Sequence, residues 1–412
     1  MRATSVLRVL LALQQTRVLG FEFDEDGLIV DVAPTWRVPR CSVCKRKVEA
    51  CYDERERRWR HLDVGGIMAQ LRYSLRRVSC ERCGVVVEDV PWAESGSRFS
   101  LPMEEHVAYH AQRTDRTTVT KLLRIAWRTV GTIVRRFVER HRERAGDPLD
   151  GLRIIGVDEL SYRRHHQYVT TVVDHERGVV VWAGEGKSAE TLNAFFKALG
   201  AERCARLEAV TIDMSGAYIK AVSEASPQAQ IIFDRFHVQR LAHDAVDEVR
   251  REEVRNAEAA DKPKLKGTRW PLQKNPWNLT GFEKAKLVTL EQTNAPIYRA
   301  YLLKESLLAV LQGRQVNVAS RKLDEWLAWA RDSALAPFIK LASTIDQHRD
   351  GILAYVRTRL NNGRIEGLNG KARVITRRAF GFHSASALIA MLFLCCGGVI
   401  ANPAHVFPFW TH

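Results

Sequence analysis

The hydrophobic period changes several times along this chain, and each change marks a region. Residues 1–38 pattern as a short helix and then a hairpin, with Phe21-Glu22-Phe23 and Leu28-Ile29-Val30 on either side of Asp26-Gly27. Arg58 to Leu62 and Ile67 to Val78 alternate as strands, with Gly65-Gly66 as their turn. Pro91, Ser95-Gly96-Ser97 and Pro102 then mark a linker. From Met103 to Arg144 the period is helical. Val119, Leu122 and Leu123 mark one short helix, and Val130, Ile133, Val134 and Phe137 mark another, with Arg124 to Ala126 between them. That is the layout of a helix-turn-helix without its usual turn glycine; a plain charged helical hairpin has the same stripe. With the stripe turned inward, Arg128, Thr129, Thr132, Arg135 and Arg136 face out, which suits base-edge and phosphate contact.

An α/β texture begins at Leu152. Arg153 to Val157 is a strand ending in Asp158-Glu159. Tyr168–Val173 and Gly178–Trp182 are two more strands, and Leu192–Leu199 is a helix. Ala209–Ile212 is a strand ending in Asp213, Tyr218–Ser223 a helix, and Gln230–Phe233 a strand ending in Asp234. This order predicts a mixed sheet. Nearly everything from Val238 to Leu360 reads as helix, apart from a Pro/Gly/Trp-rich stretch, Lys262 to Thr280. Trp326 and Trp329 fit helical core spacing. Trp270, between Arg269 and Pro271, is open between core packing and stacking on DNA. Further on, Ile365, Leu368, Ala372 and Ile375 form an apolar helical stripe, beside a second stripe of Glu366, Asn369, Arg373 and Arg377. The apolar run Ala387 to Ile400 is too short to span a bilayer comfortably and reads as a buried helix. Val6 to Leu13 lacks a convincing cleavage site after it, so secretion is not expected.

Charge adds a partner. In 412 residues, Lys plus Arg is 63 against 48 for Asp plus Glu, a formal net charge of +15, which favours a polyanion. The bases cluster at Arg113–Arg144 and at Val356–Gly381, where Glu366 is the one acid.

Cysteine spacing adds a metal. Cys41/Cys44 and Cys80/Cys83 are two C-x-x-C knuckles, which together complete a tetrahedral four-thiolate site suited to one structural Zn²⁺. A redox dithiol or an iron–sulfur or rubredoxin-type site would use the same thiols, but neither accounts for paired knuckles beside so much arginine. Cys51, Cys204, Cys395 and Cys396 lack ligand spacing. Zinc thiolates fit a reducing, cytosolic setting.

Asp158 and Asp213 each follow an apolar strand, where a sheet presents side chains to a crevice and hard oxygens suit Mg²⁺ or Mn²⁺. A turn or a helix cap would use either aspartate equally well. Glu366, lined up with amide and guanidinium groups, is the third acid; the alternative is a solvated glutamate on a surface helix.

The order of strands, with Asp158, Asp213 and Glu366 at these places, resembles the RNase H-like core of DDE transposases. Gly156-Val-Asp-Glu159, Thr211-Ile-Asp-Met-Ser-Gly-Ala-Tyr218, Phe233-Asp-Arg-Phe-His-Val238 and Arg364-Ile-Glu-Gly-Leu-Asn369, followed by Arg377-Arg-Ala-Phe-Gly-Phe382, are similar to bacterial insertion-sequence transposases of the ISL3 family over nearly the whole chain. The resemblance implies a multidomain α/β protein. A helix and hairpin (1–38), a zinc module (39–92) and a helix-turn-helix (100–146) would precede an RNase H-like core (151–240 and 356–412) interrupted by a helical insertion (241–355). It implies Asp158, Asp213 and Glu366 as a catalytic triad holding two Mg²⁺ (or Mn²⁺), Asp234 and His237 as active-site support, and Arg373 and Arg377 beside the DNA. The implied partners are double-stranded DNA, as terminal inverted repeats and target, and further copies of the chain in a homodimer or higher oligomer. The implied setting is bacterial, cytoplasmic and nucleoid-associated, with no membrane. Two other readings remain: a catalytically silent zinc-finger and helix-turn-helix regulator, and an RNase H-like nuclease without strand transfer.

Overall fold

The computed structural model describes residues 3–163, 167–360 and 363–402; Asn361 and Asn362, just before the Arg364–Asn369 motif, and the tail after Asn402 lie outside them. The chain divides into two compact units, one of residues 1–146 with 375–381 and 390 onward, the other of 147–374 with 382–389.

The first unit starts with α1 (Ala3–Leu10) and a sheet of β1 (Thr16–Asp24), β2 (Gly27–Pro34), β3 (Cys51–Arg60), β4 (Ala69–Cys80) and β5 (Gly84–Val87). The order is β1-β2-β4-β3, with β5 also paired to β4. The expected hairpin closes between Asp24 and Gly27. Gly27 has a φ of +119°, and a Cβ there would lie 2.3 Å from the Met68 carbonyl oxygen, so only glycine fits. Because β2 runs parallel to β4, the hairpin and the cysteine-bearing strands share one sheet and one core, including Val30, Trp59, Leu71 and Trp92. β3 begins at Cys51, upstream of the expected Arg58. Its first residues are polar and exposed, so no alternation announces them; ladder pairing to β4 and an Arg77–Asp53 ion pair hold them instead.

Next come α2 (Leu101–Arg113), α3 (Arg116–Leu123) and α4 (Trp127–Ala145). Ser100 and Asp115 cap α2 and α3 through their side-chain oxygens. Glu104 of α2 is fully buried and is held by Arg136 at 3.1 Å and Arg140 at 2.8 Å from α4, and by the Ser97 hydroxyl at 2.7 Å. The end of the chain completes this unit: Gln112 donates to the carbonyls of Leu394 and Val399, and Arg378 donates to those of Ala111 and Gln112.

The second unit is built on β6 (Ile154–Arg163), β7 (Gln167–Asp174), β8 (Val179–Glu185), β9 (Ala209–Ile212) and β10 (Gln230–Phe233), in the order β10-β9-β6-β7-β8. β6, β7 and β8 are antiparallel; β6, β9 and β10 are parallel. The sheet is therefore mixed, as expected. α5 (Ala189–Leu199), the short α6 (Ala201–Cys204) and α7 (Gly216–Ala225) connect the strands. Helices follow: α8 (Arg235–Asn256), α9 (Lys262–Leu265), α10 (Arg269–Gln273), α11 (Gly281–Thr293), α12 (Ala295–Gln312), α13 (Val316–Arg331), α14 (Ala336–Gln347), α15 (Arg349–Thr358), α16 (Gly363–Arg378) and α17 (Ala385–Cys396). A 3-10 turn, Pro276–Asn278, lies between α10 and α11. Trp326 is buried and donates to the Leu303 carbonyl. Trp329, expected in the core with it, is 38% exposed, because the buried stripe of Leu323, Trp326, Leu327 and Ala330 leaves it at the margin. Trp270 is 62% exposed, which overturns the core alternative: its neighbours Pro271 and Leu272 take the buried positions. No helix among the described residues is long and apolar enough to cross a membrane.

Candidate functional site

Strand register brings the acids together. Gly156 of β6 pairs with Thr211 of β9, so Asp158 and Asp213, each two residues further on, come level on neighbouring parallel strands. Ile212 of β9 pairs with Phe233 of β10, which sets Asp234 beside Asp213. Asp158 is not at a strand end as expected. β6 continues to Arg163 along β7, but its pairing with β9 stops at Gly156, and this opens the edge on which Asp158 sits. Asp213 accepts from the Ser215 amide at 3.0 Å. Asp234, nearly fully buried, caps α8, and His237 lies 3.8 Å from its carboxylate.

Glu366 arrives on α16. The expected apolar stripe, Ile365, Leu368, Ala372 and Ile375, is buried as a set. Asn369, one turn beyond Glu366, donates from Nδ2 to Asp158 Oδ2 at 2.6 Å, joining residues 211 positions apart. Gly156 permits the approach: a Cβ there would stand 2.0 Å from Ile365 Cδ1, 2.7 Å from Thr211 Oγ1 and 2.8 Å from His175 Nε2. Burial pushes the Asp158 carboxyl above its ordinary range; Asp234 and Asp213 push the same way, against the Glu159 amide and His237. Burial, then Asp234 and Asp158, raise Glu366 in turn, against Arg373 and Arg235. Arg373 and Arg377 are exposed.

The thiols gather more tightly. Cys41, Cys44, Cys80 and Cys83 are, among the described residues, the group of three or more metal-type ligands whose donor atoms all lie within 4.8 Å of one another. Cys44 and Cys80 sulfurs are 3.7 Å apart, close to the roughly 3.8 Å edge of a tetrahedron with 2.3 Å zinc–sulfur bonds. Burial would raise the Cys41 thiol, but the backbone N–H groups of Cys44 and Val43, together with the Cys44 and Cys80 thiols, outweigh it and bring it down to about 7. Cys51 is exposed and outside the group.

In the helix pair, Val119, Val130, Ile133, Val134 and Phe137 are buried as expected, while Leu122 is 56% exposed. Arg124 takes the place of the missing turn glycine, with a left-handed φ of 52°. Its guanidinium is bonded to Asp63 and to the Gly66 carbonyl, which anchors this strained residue to the loop between β3 and β4. Arg128, Thr132 and Arg135 are exposed and Thr129 is half-buried. Arg136 is not outward as expected: its guanidinium turns back to the buried carboxylate of Glu104.

Family models match the chain in three adjoining stretches. They are a zinc-finger of insertion-sequence transposases over residues 37–83, a helix-turn-helix domain of transposase family ISL3 over 88–138, and the ISL3 DDE transposase domain, described as a transposase, over 155–392. The transposase for insertion sequence element IS1557 of Mycobacterium tuberculosis is 39% identical, covering 97% of this chain and 96% of its own length. The transposase for insertion sequence element IS1001 of Bordetella parapertussis is 30% identical, over 88% of this chain and 90% of its own.

The chain belongs to the ISL3 family of transposases.

In this transposase the zinc ribbon and the helix-turn-helix are both present, and the four converging cysteines support a structural zinc. The transposase domain implies a divalent metal as well. Two residues of the acidic site gain a role from the structure. The sequence places the Asn369 amide on the Glu366 stripe at i, i+3 spacing but does not show its bond to Asp158. Gly156, two residues before Asp158, gave no signal, because the atom it must avoid comes from residue 365.

Proposed function

We propose that this transposase cuts and joins DNA at the acidic cluster, with Asp158, Asp213 and Glu366 as its catalytic carboxylates on an RNase H-like sheet, and the helices of 241–355 as an insertion in that fold. The observation that carries the reading is the Asn369–Asp158 hydrogen bond, which docks the Glu366 helix against the strand of Asp158, while register sets Asp213 beside it. The donors fit Mg²⁺ or Mn²⁺: they are hard oxygens, and burial first, then the neighbouring carboxylates, raises both Asp158 and Glu366, a cost of holding negative charge there that a cation would relieve. Bound there, two such ions would activate the attacking water or DNA 3′-hydroxyl and stabilise the leaving oxygen.

The chain's own groups do the rest. Asn369 fixes the rotamer of Asp158. Asp234 and His237 shape the floor of the site. Arg373 supplies positive charge beside Glu366 to hold a phosphate. Arg377, exposed later on the same helix, contacts the DNA backbone. In the first unit, Arg128, Thr129 and Thr132 read base edges of the terminal inverted repeats and Arg135 holds phosphate, while the zinc ribbon steadies the module. Two element ends have to be paired, so the working form is a homodimer or larger assembly in the bacterial cytoplasm, on the nucleoid.

The test is cleavage of terminal-repeat DNA with Mg²⁺ or Mn²⁺. Asp158→Asn, Asp213→Asn and Glu366→Gln should each abolish cleavage and leave repeat binding intact. Cleavage retained in Asp213→Asn would remove it from the triad. A wild-type protein that binds but never cuts would be a DNA-binding regulator.

A further inference from the structure

The stretch from Lys262 to Lys286 holds three large aromatic rings in solvent: Trp270 at 62% exposure, Trp277 at 67% and Phe282 at 72%. They are not on a loose loop. Buried Lys304 donates to the Leu272 carbonyl at 2.8 Å, Lys286 donates to the Lys266 carbonyl at 2.9 Å, and Lys274 pairs with Glu283 at 2.6 Å. These ties fasten the end of α9, α10 and α11 to one another and to α12, and the Lys274–Glu283 pair closes the segment that contains the 3-10 turn bearing Trp277. Cations accompany them: the Arg269 guanidinium is 5.5 Å from the Trp270 ring and the Lys286 ammonium 5.0 Å from the Phe282 ring. The stretch carries seven lysines and arginines against one acid, Glu283; Lys274 pairs with it, and Lys264 and Arg269 also meet Asp261 and Asp247 outside the stretch, at 2.7 Å and 4.0 Å.

From this combination we infer that residues 262–286 form a platform for unpaired DNA. Each nucleotide of a single strand offers one π-face and one phosphate, which match exposed rings set among cations. A duplex buries its base faces in its own stack and would use the cations alone. An apolar protein partner would use the rings and leave the positive charge uncompensated. The inference rests on the reading of the chain as a DNA-cutting transposase: a cut creates a free strand end, and its terminal nucleotides are the unpaired DNA that such a platform would hold.

The experiment measures binding by the full-length protein to fluorescein-labelled oligo(dT) and to a hairpin duplex of equal phosphate number. Trp270→Ala with Trp277→Ala should weaken oligo(dT) binding roughly ten-fold or more, and change duplex binding less than two-fold. Phenylalanine at both positions should restore most of the loss, and melting temperature should not move, since neither ring is buried. If an alanine does lower the melting temperature, Lys284→Glu, at an exposed cation, should show the same preference for loss on oligo(dT). Equal losses on both DNAs, or no loss on oligo(dT), would overturn the platform. So would unchanged DNA binding with loss of self-association, which would make this face a contact between protomers. Cleavage is scored separately: if Asp213→Asn still cuts while the tryptophan variants lose oligo(dT), the active-site reading falls and the platform stands.

Discussion

Gly156→Ala tests how closely the Glu366 helix must sit on the catalytic sheet. The added methyl would lie 2.0 Å from Ile365 Cδ1, where carbon atoms ordinarily stay about 3.5–4 Å apart, so something must retreat by about 1.5 Å or more. The other side is crowded too, at 2.7 Å and 2.8 Å from the methyl, and hydrogen bonds limit how far it can give. Thr211 Oγ1 and His175 Nε2 are hydrogen-bonded at 2.7 Å, and the His175 amide is tied to the Ile154 carbonyl. Much of the displacement therefore falls on the Ile365 side chain and, through it, on α16, which carries Glu366 and the Asn369 contact with Asp158. Overpacking of this kind costs about 1–3 kcal/mol of stability, whereas misplacing a reacting group by about 1 Å costs on the order of 100-fold in rate. Cleavage of terminal-repeat DNA should thus fall far more than the melting temperature does, with repeat binding unchanged. Ile365→Val removes the Cδ1 carbon that clashes, so the Gly156→Ala, Ile365→Val double variant should be more active than Gly156→Ala alone. Wild-type cleavage by Gly156→Ala, or a double variant no better than the single, would refute the reasoning.

Zinc removal should act on the other unit: chelation, or Cys80→Ser, should melt the first unit and weaken repeat binding while the second keeps its own thermal transition, and purified protein without zinc would contradict this. The two neighbouring arginines of α4 should separate cleanly. Arg135→Ala should weaken all DNA sequences alike and lower the salt slope by about one, whereas Arg136→Ala should cost about 1–2 kcal/mol of stability with little specific effect on DNA, because it deprives buried Glu104 of one partner; a melting curve and a salt titration of each variant decide between them.

What was legible beforehand follows from where information resides in a chain. The strands of the second sheet are buried apolar runs, and Asp213 and Asp234 follow them directly, so both strands and acids could be read locally. Asp158 reads as terminal because the continuous apolar run stops there; the strand goes on as Glu-Leu-Ser-Tyr-Arg along β7, with only Leu160 and Tyr162 buried among the described side chains. The first half of β3 gives no signal because its residues are exposed on both faces. Arg135 and Arg136 look alike in sequence; only the carboxylate of Glu104, on another helix, distinguishes them. Trp270 could not be settled from its neighbours, since Arg269 and Pro271 allow either a buried or an exposed ring, and the choice is made by Leu272 and its tie to Lys304. Asn369 is a single amide until a partner 211 residues away is known.

The C-terminal segment that completes the first unit has a consequence for synthesis. A chain leaves the ribosome from its N-terminus and tends to fold in that order. Here the carbonyls of Ala111 and Gln112 wait for Arg378, and the Gln112 amide waits for Leu394 and Val399. The unit that carries the helix-turn-helix is therefore finished only when almost the whole chain has been made. A prematurely terminated product would carry the zinc ribbon and the recognition helix on an incomplete support, and would compete poorly with full-length protein for the same DNA.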